Sequence, residues 1–189
     1  PDDQTVLPKA LSDIADVIGD IQPDIIITHW PNDSSPAHAV ATQMTMLAIE
    51  TASSLRPGNP YPPTGGVTGK MPQIFYHAHP GRTNILESLT IRIPTTIIDI
   101  SDVIKQKIRA MEKFESQMHS KNDSRKIVEA MDGSIHAIHA RVPYAETFVA
   151  HNPEVHDYLP LSEYGNMLAD RPRDVVHESM AWMVETDSD

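Results

Sequence analysis

The pattern of apolar positions along the chain predicts alternating helices and short strands. A first amphipathic helix is predicted to end at Pro23, because one face repeats every three or four residues through Leu7, Leu11, Ile14, Ile18 and Ile21. The run Asp24–Thr28 follows at once and is β-branched without polar alternation, which is typical of a parallel strand covered on both faces. A helix followed directly by such a strand predicts an α/β layered fold.

The remaining patterns continue this alternation. A second helix is predicted from Pro36 to about Leu55, with Ser35 as its N-cap. Residues 56–70 are rich in Pro and Gly, which predicts a long exposed loop, either a lid or a connector. Three further strands are predicted at Gln73–His77, Thr95–Asp99 and Ala145–Phe148. A helix capped by Ser101 is predicted after the second of these strands, with one face formed by Ile104, Ile108, Met111, Phe114 and Met118. Another helix is predicted at Asp123–Met131, closed by Gly133.

These elements predict one domain and an appended segment. We expect a Rossmann-like α/β domain over residues 1–148, with a mostly parallel sheet and helices on both faces. Residues 149–189 are expected to form a C-terminal arm or interface segment, whose Met and Val content is compatible with a homo-oligomer. No second domain is predicted.

Composition excludes several classes of protein. The chain has 189 residues with 15 Lys+Arg against 26 Asp+Glu, a formal net charge of −11, so we expect no nucleic-acid partner. It contains no cysteine, which excludes a disulfide scaffold and a thiolate zinc site. Apolar runs are far shorter than the roughly 18 residues of a membrane span, so we expect a cytoplasmic protein without a membrane partner.

Polar side chains follow the first predicted strand, at the edge where open α/β sheets bind ligands. His38 falls in the first turn of the second helix, where the helix dipole favours the neutral imidazole that a metal requires. By spacing alone, a histidine there more often faces solvent or caps a neighbour. His29 is interpreted either as a metal ligand or as an orienting group. Asp33 is interpreted as the partner of such a histidine or as a turn residue.

Three segments resemble one known family. The first segment consists of Pro23-Asp24-Ile25-Ile26-Ile27-Thr28-His29, Asp33 and Ser35-Pro36-Ala37-His38. It resembles the Pro-Asp-Val-Val-x-Thr-His and His-Pro-Asp-His motifs of LmbE-like (PIG-L) de-N-acetylases. The second segment, Asp99-Ile100-Ser101 with Lys107, Ala110, Ser116 and Gln117, is similar to that family's Asp-Ile-Ser helix. The third, Tyr144-Ala145-Glu146-Thr147-Phe148, is similar to its Tyr-Ala-Glu-x-Phe strand, and both agree with the family in order and spacing. The resemblance spans residues 4–148.

The resemblance implies a zinc-dependent hydrolase that removes acetyl groups from N-acetylglucosamine-type sugars or conjugates. In that family the last histidine of His-Pro-Asp-His, matched by His38, holds zinc together with the histidine and one aspartate of an N-terminal His-Pro-Asp-Asp motif. The other aspartate of that motif is the general base on the zinc-bound water. We therefore expect zinc as the cofactor, His38 as its ligand in this chain, and His29 and Asp33 as residues that bind substrate or support the ligand.

The sequence departs from the family pattern in two respects. Ser35 and Ala37 replace the first histidine and the aspartate of His-Pro-Asp-His, and no His-Pro-Asp-Asp is present. We expect the general base and the other zinc ligands outside this chain, on a companion segment. The replacements favour an alternative, a non-catalytic sugar-binding or assembly module, because losing an oxyanion-stabilising histidine harms catalysis more than binding. A coincidental match in an unrelated α/β protein is the third hypothesis.

Overall fold

The computed structural model describes residues 6–33, 35–53, 61–77, 94–114, 116, 121–160 and 162–170. The helices are α1 (Val6–Ile21), α2 (Pro36–Ser53), α3 (Ile104–Met111), α4 (Lys121–Val128), α5 (Ala137–Ala140) and α6 (Glu163–Asp170). The strands are β1 (Ile25–Thr28), β2 (Gln73–His77), β3 (Thr96–Asp99) and β4 (Ala145–Ala150). All four predicted strands are therefore present, with bounds shifted by two residues or fewer.

The strands form one four-stranded sheet in the order β1-β2-β4-β3. β1 and β2 are parallel, with Thr28 level with Tyr76, as the predicted α/β fold requires. β4 is antiparallel to β2, with Phe148 opposite His77. The α/β layered fold is confirmed, and its sheet contains both parallel and antiparallel pairs.

Contacts divide the chain into two compact units. The first comprises Pro1–Pro94 with Phe148–Pro153, and the second comprises Thr95–Thr147 with Glu154–Asp189. The predicted boundary at residue 148 stays a prediction, and residues 171–189 of the expected arm lie outside the described residues.

The core of the first unit lies between α1, α2 and one face of the sheet. Its buried members are Ala15, Ile18, Ala48, Ile49, Ala52, Ile74 and Tyr76, and Leu11, Ile14 and Ile26 pack against them. Two expectations about this region are wrong. Ile21, predicted on the buried face of α1, is exposed. The described residues cover β1 on one face only, because Ile25 and Ile27 lie on the face opposite this core and are exposed.

The loop before β2 is fastened to α1. The Asp16 carboxylate accepts hydrogen bonds from the Thr64 backbone N–H (2.5 Å), the Thr64 hydroxyl (2.5 Å) and the Gly65 N–H (2.9 Å). Farther along, the Thr68 N–H donates to the Ala52 carbonyl at 2.9 Å. A β-carbon at Gly19 would overlap the Gly66 carbonyl oxygen. The described part of the predicted loop is thus a fixed connector.

The predicted helix after β3 is shorter than expected. A 3₁₀ turn at Ser101–Val103 precedes α3, which ends at Met111. Ser101 is not the N-cap as predicted, because the turn begins after Ile100. Asp99 Oδ1 accepts hydrogen bonds from the Ser101 N–H (3.0 Å) and hydroxyl (2.6 Å). Phe114 lies beyond the helix and is exposed, and Met118 lies outside the described residues.

Gly133 does not end the next helix, contrary to the prediction. α4 continues through a π-helical segment, Glu129–His136, into α5, and the helix ends at Arg141, whose φ of 54° is left-handed. The widened turns place buried Asp132 beside Lys107 of α3, whose Nζ lies 2.7 Å from Asp132 Oδ2 and 2.5 Å from Glu146 Oε1 of β4. We call Lys107, Asp132 and Glu146 the ion cluster. His136 Nδ1 lies 3.5 Å from Asp132 Oδ1.

Candidate functional site

The candidate site lies where β1 ends and α2 begins. Since β1 and β2 are parallel and in register, His29 leaves the sheet at its carboxyl edge, next to the end of β2. The Ser35 carbonyl accepts hydrogen bonds from the N–H groups of His38 (3.0 Å) and Ala39 (3.2 Å). Ser35 therefore occupies the predicted N-cap position, and His38 lies in the first turn of α2 as expected.

The structure brings His29, Asp33 and His38 together. The imidazole rings of His29 and His38 are stacked, with centroids 4.0 Å apart and planes within 2°. His38 Nδ1 lies 3.1 Å from Asp33 Oδ1, and the same oxygen accepts the Ser35 N–H at 2.8 Å. Asp33 makes both contacts considered from the sequence, to the histidine and to the turn.

The electrostatics of this cluster keep His29 neutral. Burial lowers the pKa of His29, the neighbouring His38 lowers it further, and the Asp33 charge opposes both effects. In the tautomer that carries its proton on Nδ1, the His38 ring would donate to Asp33 Oδ1 and keep a lone pair on Nε2. Carboxylate support of this kind is typical of metal-binding histidines, since it fixes the tautomer and the ring orientation.

Thr42 is a residue of this site that the sequence did not reveal. It lies one helical turn after His38 and is 1% exposed. Its hydroxyl donates to the His29 carbonyl at 2.8 Å, and Thr28 Oγ1 lies 3.3 Å from the same hydroxyl. Thr42 therefore ties the end of β1 to α2 and holds His29 beside His38. A threonine inside a helix carries no sequence signal for this contact, which depends on how α2 packs on β1.

We expect Thr42→Val to lower the free energy of unfolding by about 1–3 kcal/mol, because it leaves the partly buried His29 carbonyl without its donor. Thr42→Ser keeps the hydroxyl and should retain most of this stability. Thr45→Val is the matched control, since the Thr45 hydroxyl donates to Ala41 on an exposed helix face. Urea unfolding of the three variants measures the difference, and equal losses for Thr42→Val and Thr45→Val would contradict this role of Thr42.

A second pair of polar side chains lies against the core of the first unit. The Tyr76 hydroxyl is 2.7 Å from His151 Nδ1 and 3.8 Å from Met46 Sδ. Trp30, the residue after His29, meets the Tyr76 ring edge-on at 5.8 Å. Burial raises the pKa of Tyr76, so its hydroxyl stays protonated at neutral pH. Tyr76 and His151 thus anchor the segment that carries Trp30.

The described residues do not hold a complete metal site. No group of three or more His, Cys, Asp or Glu side chains is placed to bind one ion within the described ranges. Zinc sites in hydrolases use three protein ligands, and His38 with its Asp33 contact falls short of that number. We therefore derive no chemical step through a metal from these residues.

None of the helices described above is both long enough and apolar enough to cross a membrane. No protein-family model and no curated protein sequence matches the chain. Solved structures do match it.

Two structures match with a TM-score of 0.60. GalB, the 4-carboxy-2-hydroxymuconate hydratase from Pseudomonas putida KT2440, is 23% identical over 80% of this chain and 62% of its own. The conserved protein TT1542 from Thermus thermophilus is 21% identical over 82% of this chain and 63% of its own.

The N,N'-diacetylchitobiose deacetylase from Pyrococcus horikoshii also matches, at a TM-score of 0.46 and 20% identity, over 76% of this chain and 51% of its own. The chain thus spans less than two thirds of the length of each matched structure. It has the α/β fold of GalB and TT1542.

Proposed function

We propose that this chain is the carboxyl-terminal part of a zinc-dependent hydrolase that removes an acetyl group from N-acetylglucosamine-type sugars or conjugates. The observation that carries the proposal is the hydrogen bond between His38 Nδ1 and Asp33 Oδ1 at the carboxyl edge of the sheet. It orients the histidine that matches the family's zinc ligand and directs its Nε2 lone pair to a ligand.

The neighbouring residues have defined roles in this proposal. Asp33 holds the His38 ring in one tautomer and balances the charge of a bound cation. His29, kept neutral by burial, covers one face of the His38 ring and lines the substrate side of the site. The remaining ligands and the general base belong to a companion segment.

We expect the complete protein to bind about one zinc ion, as three-ligand hydrolase sites do, and His38→Ala to lower both zinc content and deacetylation at least tenfold. The matched control is His156→Ala, because the half-exposed His156 also contacts a carboxylate, Glu154, at 3.1 Å and belongs to the second compact unit. Elemental analysis and acetate release from N-acetylglucosamine conjugates measure the two effects. Full zinc occupancy in His38→Ala would contradict the assignment.

A second function, a non-catalytic sugar-binding or assembly module, is supported by Ser35 and Ala37 at the two altered motif positions. Such a module would retain the fold and bind N-acetylated sugars without zinc and without release of acetate. Calorimetric titration of the complete protein with N-acetylglucosamine, alongside the zinc analysis, separates the two functions.

A further inference from the structure

The long helix of the second unit contains an unusual segment. The helix runs without a break from α4 into α5, and its middle part, Glu129–His136, is π-helical. At its end the Ala137 N–H donates to the Asp132 carbonyl, so a turn here holds one residue more than an α-helical turn. π-Helical turns are rare in proteins and occur frequently at functional sites. The segment therefore calls for a physical cause.

The π-helical turns point polar residues toward the core and apolar residues toward water. Asp132 and His136 are 3% and 5% exposed, whereas Ile135 and Ile138 are 48% and 50% exposed. Four apolar residues of this helix recur at spacings of three, four and three, namely Val128, Met131, Ile135 and Ile138. Such spacing is typical of one face of an α-helix. The sequence thus favours an α-helix over these residues, and the structure has a different one.

An α-helical form of the segment would bury a different set of side chains. Val128 is fully buried and marks the direction of the core. At about 100° per residue, an α-helix would place Ile135 about 20° from that direction and His136 about 80° from it. Asp132 would rotate relative to α3 as well. The α-helical form therefore buries Ile135, which the π-helical form exposes.

Asp132 holds the segment in the π-helical form. Its Oδ2 lies 2.7 Å from Lys107 Nζ of α3, and its Oδ1 lies 3.5 Å from His136 Nδ1. A buried carboxylate is costly without a partner, so the contact with Lys107 favours the form in which Asp132 faces α3. Burial of Ile135 favours the other form, because an apolar side chain gains free energy when it leaves water.

We propose that residues 129–140 form a switch between two helical forms, in which the Asp132–Lys107 ion pair holds the π-helical form and loss of the pair produces the α-helical form. The switch exchanges Ile135 for His136 at the helix surface, and so replaces an apolar surface position with an ionisable one. It does not rest on the proposed function, because all of these residues belong to the second unit.

Acid is expected to operate the switch. The ionisable groups of the cluster and its surroundings are Lys107 of α3, Glu146 of β4, His136 and Glu129 of the π-helical segment, and Tyr144, which donates to Glu129. Burial raises the pKa of Asp132, but hydrogen bonds from His136 and Lys107 and the Lys107 charge hold it below 3.8. Without the Lys107 contact this depression is lost, so the α-helical form binds a proton more readily. It is therefore favoured below about pH 4.

Methyl NMR of the complete protein with a soluble paramagnetic agent measures the exposure of Ile135 directly. At neutral pH its δ1 methyl should relax about as fast as that of Ile98, an isoleucine of β3 that is 46% exposed and serves as the internal control. In acid we expect the paramagnetic relaxation of Ile135 to fall roughly threefold, because the methyl leaves the surface, while that of Ile98 changes little.

Asp132→Asn tests the switch at neutral pH, because asparagine imitates the protonated carboxyl and leaves Lys107 its contact with Glu146. We expect the same protection of Ile135 in this variant. Asp13→Asn is the matched control, since Asp13 pairs with Lys9 on an exposed face of α1.

Circular dichroism shows whether each sample is folded. An Ile135 methyl as exposed in folded Asp132→Asn as in the wild type would overturn the proposal. If that variant does not fold, the acid titration of the wild type decides, and an unchanged Ile135 in folded protein at low pH is the contradicting result.

Discussion

Replacing Lys107 with methionine is expected to lower the free energy of unfolding by about 3–5 kcal/mol, the range found when one partner of a buried ion pair is removed. Methionine keeps most of the apolar stem but leaves Asp132, which is 3% exposed, without the ammonium group 2.7 Å away. Glu146 loses the same partner at 2.5 Å. Urea unfolding at neutral pH measures the loss.

The control for this variant is Lys9→Met. Lys9 pairs with Asp13 at 2.6 Å on an exposed face of α1, and exposed pairs contribute about 0–1 kcal/mol. A loss for Lys107→Met no larger than that for Lys9→Met would show that the ion cluster does not stabilise the second unit.

The effect of Lys107→Met should also depend on pH. Burial raises the pKa of Asp132, but hydrogen bonds from His136 and Lys107 and the Lys107 charge outweigh it, so the pKa lies below the usual 3.8. Because the folded-state pKa is depressed, this carboxylate stabilises the fold above its unfolded pKa, and the contribution is lost as the pH falls through the depressed value. The stability difference between wild type and variant should therefore shrink in acid. A difference that grows on acidification would contradict this account.

Gly19→Ala is expected to destabilise the protein by about 3 kcal/mol, at the upper end of the range for overpacking. The added β-carbon would overlap the Gly66 carbonyl oxygen, which belongs to the backbone and cannot move as a side chain would. Helix propensity alone predicts the opposite sign, since alanine in a helix interior is favoured over glycine by about 1 kcal/mol.

Gly133→Ala is the matched control for Gly19→Ala. A β-carbon at Gly133 would lie 3.4 Å from Tyr144 Cε1, an ordinary contact with a side chain. Thermal and urea unfolding of both variants should show a large loss for Gly19→Ala and a small change of either sign for Gly133→Ala. Stabilisation by Gly19→Ala would mean that propensity outweighs the close approach of α1 to the loop.

The predicted features that the structure reproduces depend on local chemistry. α2 begins at Pro36 as expected, because the preference of serine for the N-cap and the fixed φ of proline both act within one turn. The strands are predictable for the same reason, since β-branched runs favour extended backbone wherever they lie. His29, Asp33 and His38 come together because a short loop joins a strand end to a helix start.

The features that sequence reasoning missed depend on distant parts of the chain. A β-branched run shows that β1 is a strand, but its burial depends on what packs on it, and two of its isoleucines are exposed. Glycine commonly ends a helix, which is why Gly133 was predicted to do so. The helix instead continues through Gly133 as a π-helical segment, in which the buried Asp132 contacts Lys107. Thr42 likewise acquires its role only when α2 lies on β1.

The loop that is fastened to α1 also lies at the amino end of β1, where Lys70 pairs with Asp24, whereas the candidate site lies at the carboxyl end. Detaching residues 64–68 would break the three hydrogen bonds to Asp16 and the one to Ala52 together, so the detached state is a minor member of the ensemble. A ligand could raise the population of the detached state only through contacts that it makes in that state and not in the attached one. Because this segment belongs to the amino edge of the sheet and the candidate site to the carboxyl edge, detaching the loop would leave the site as it is, and turnover limited by opening of this segment is not expected.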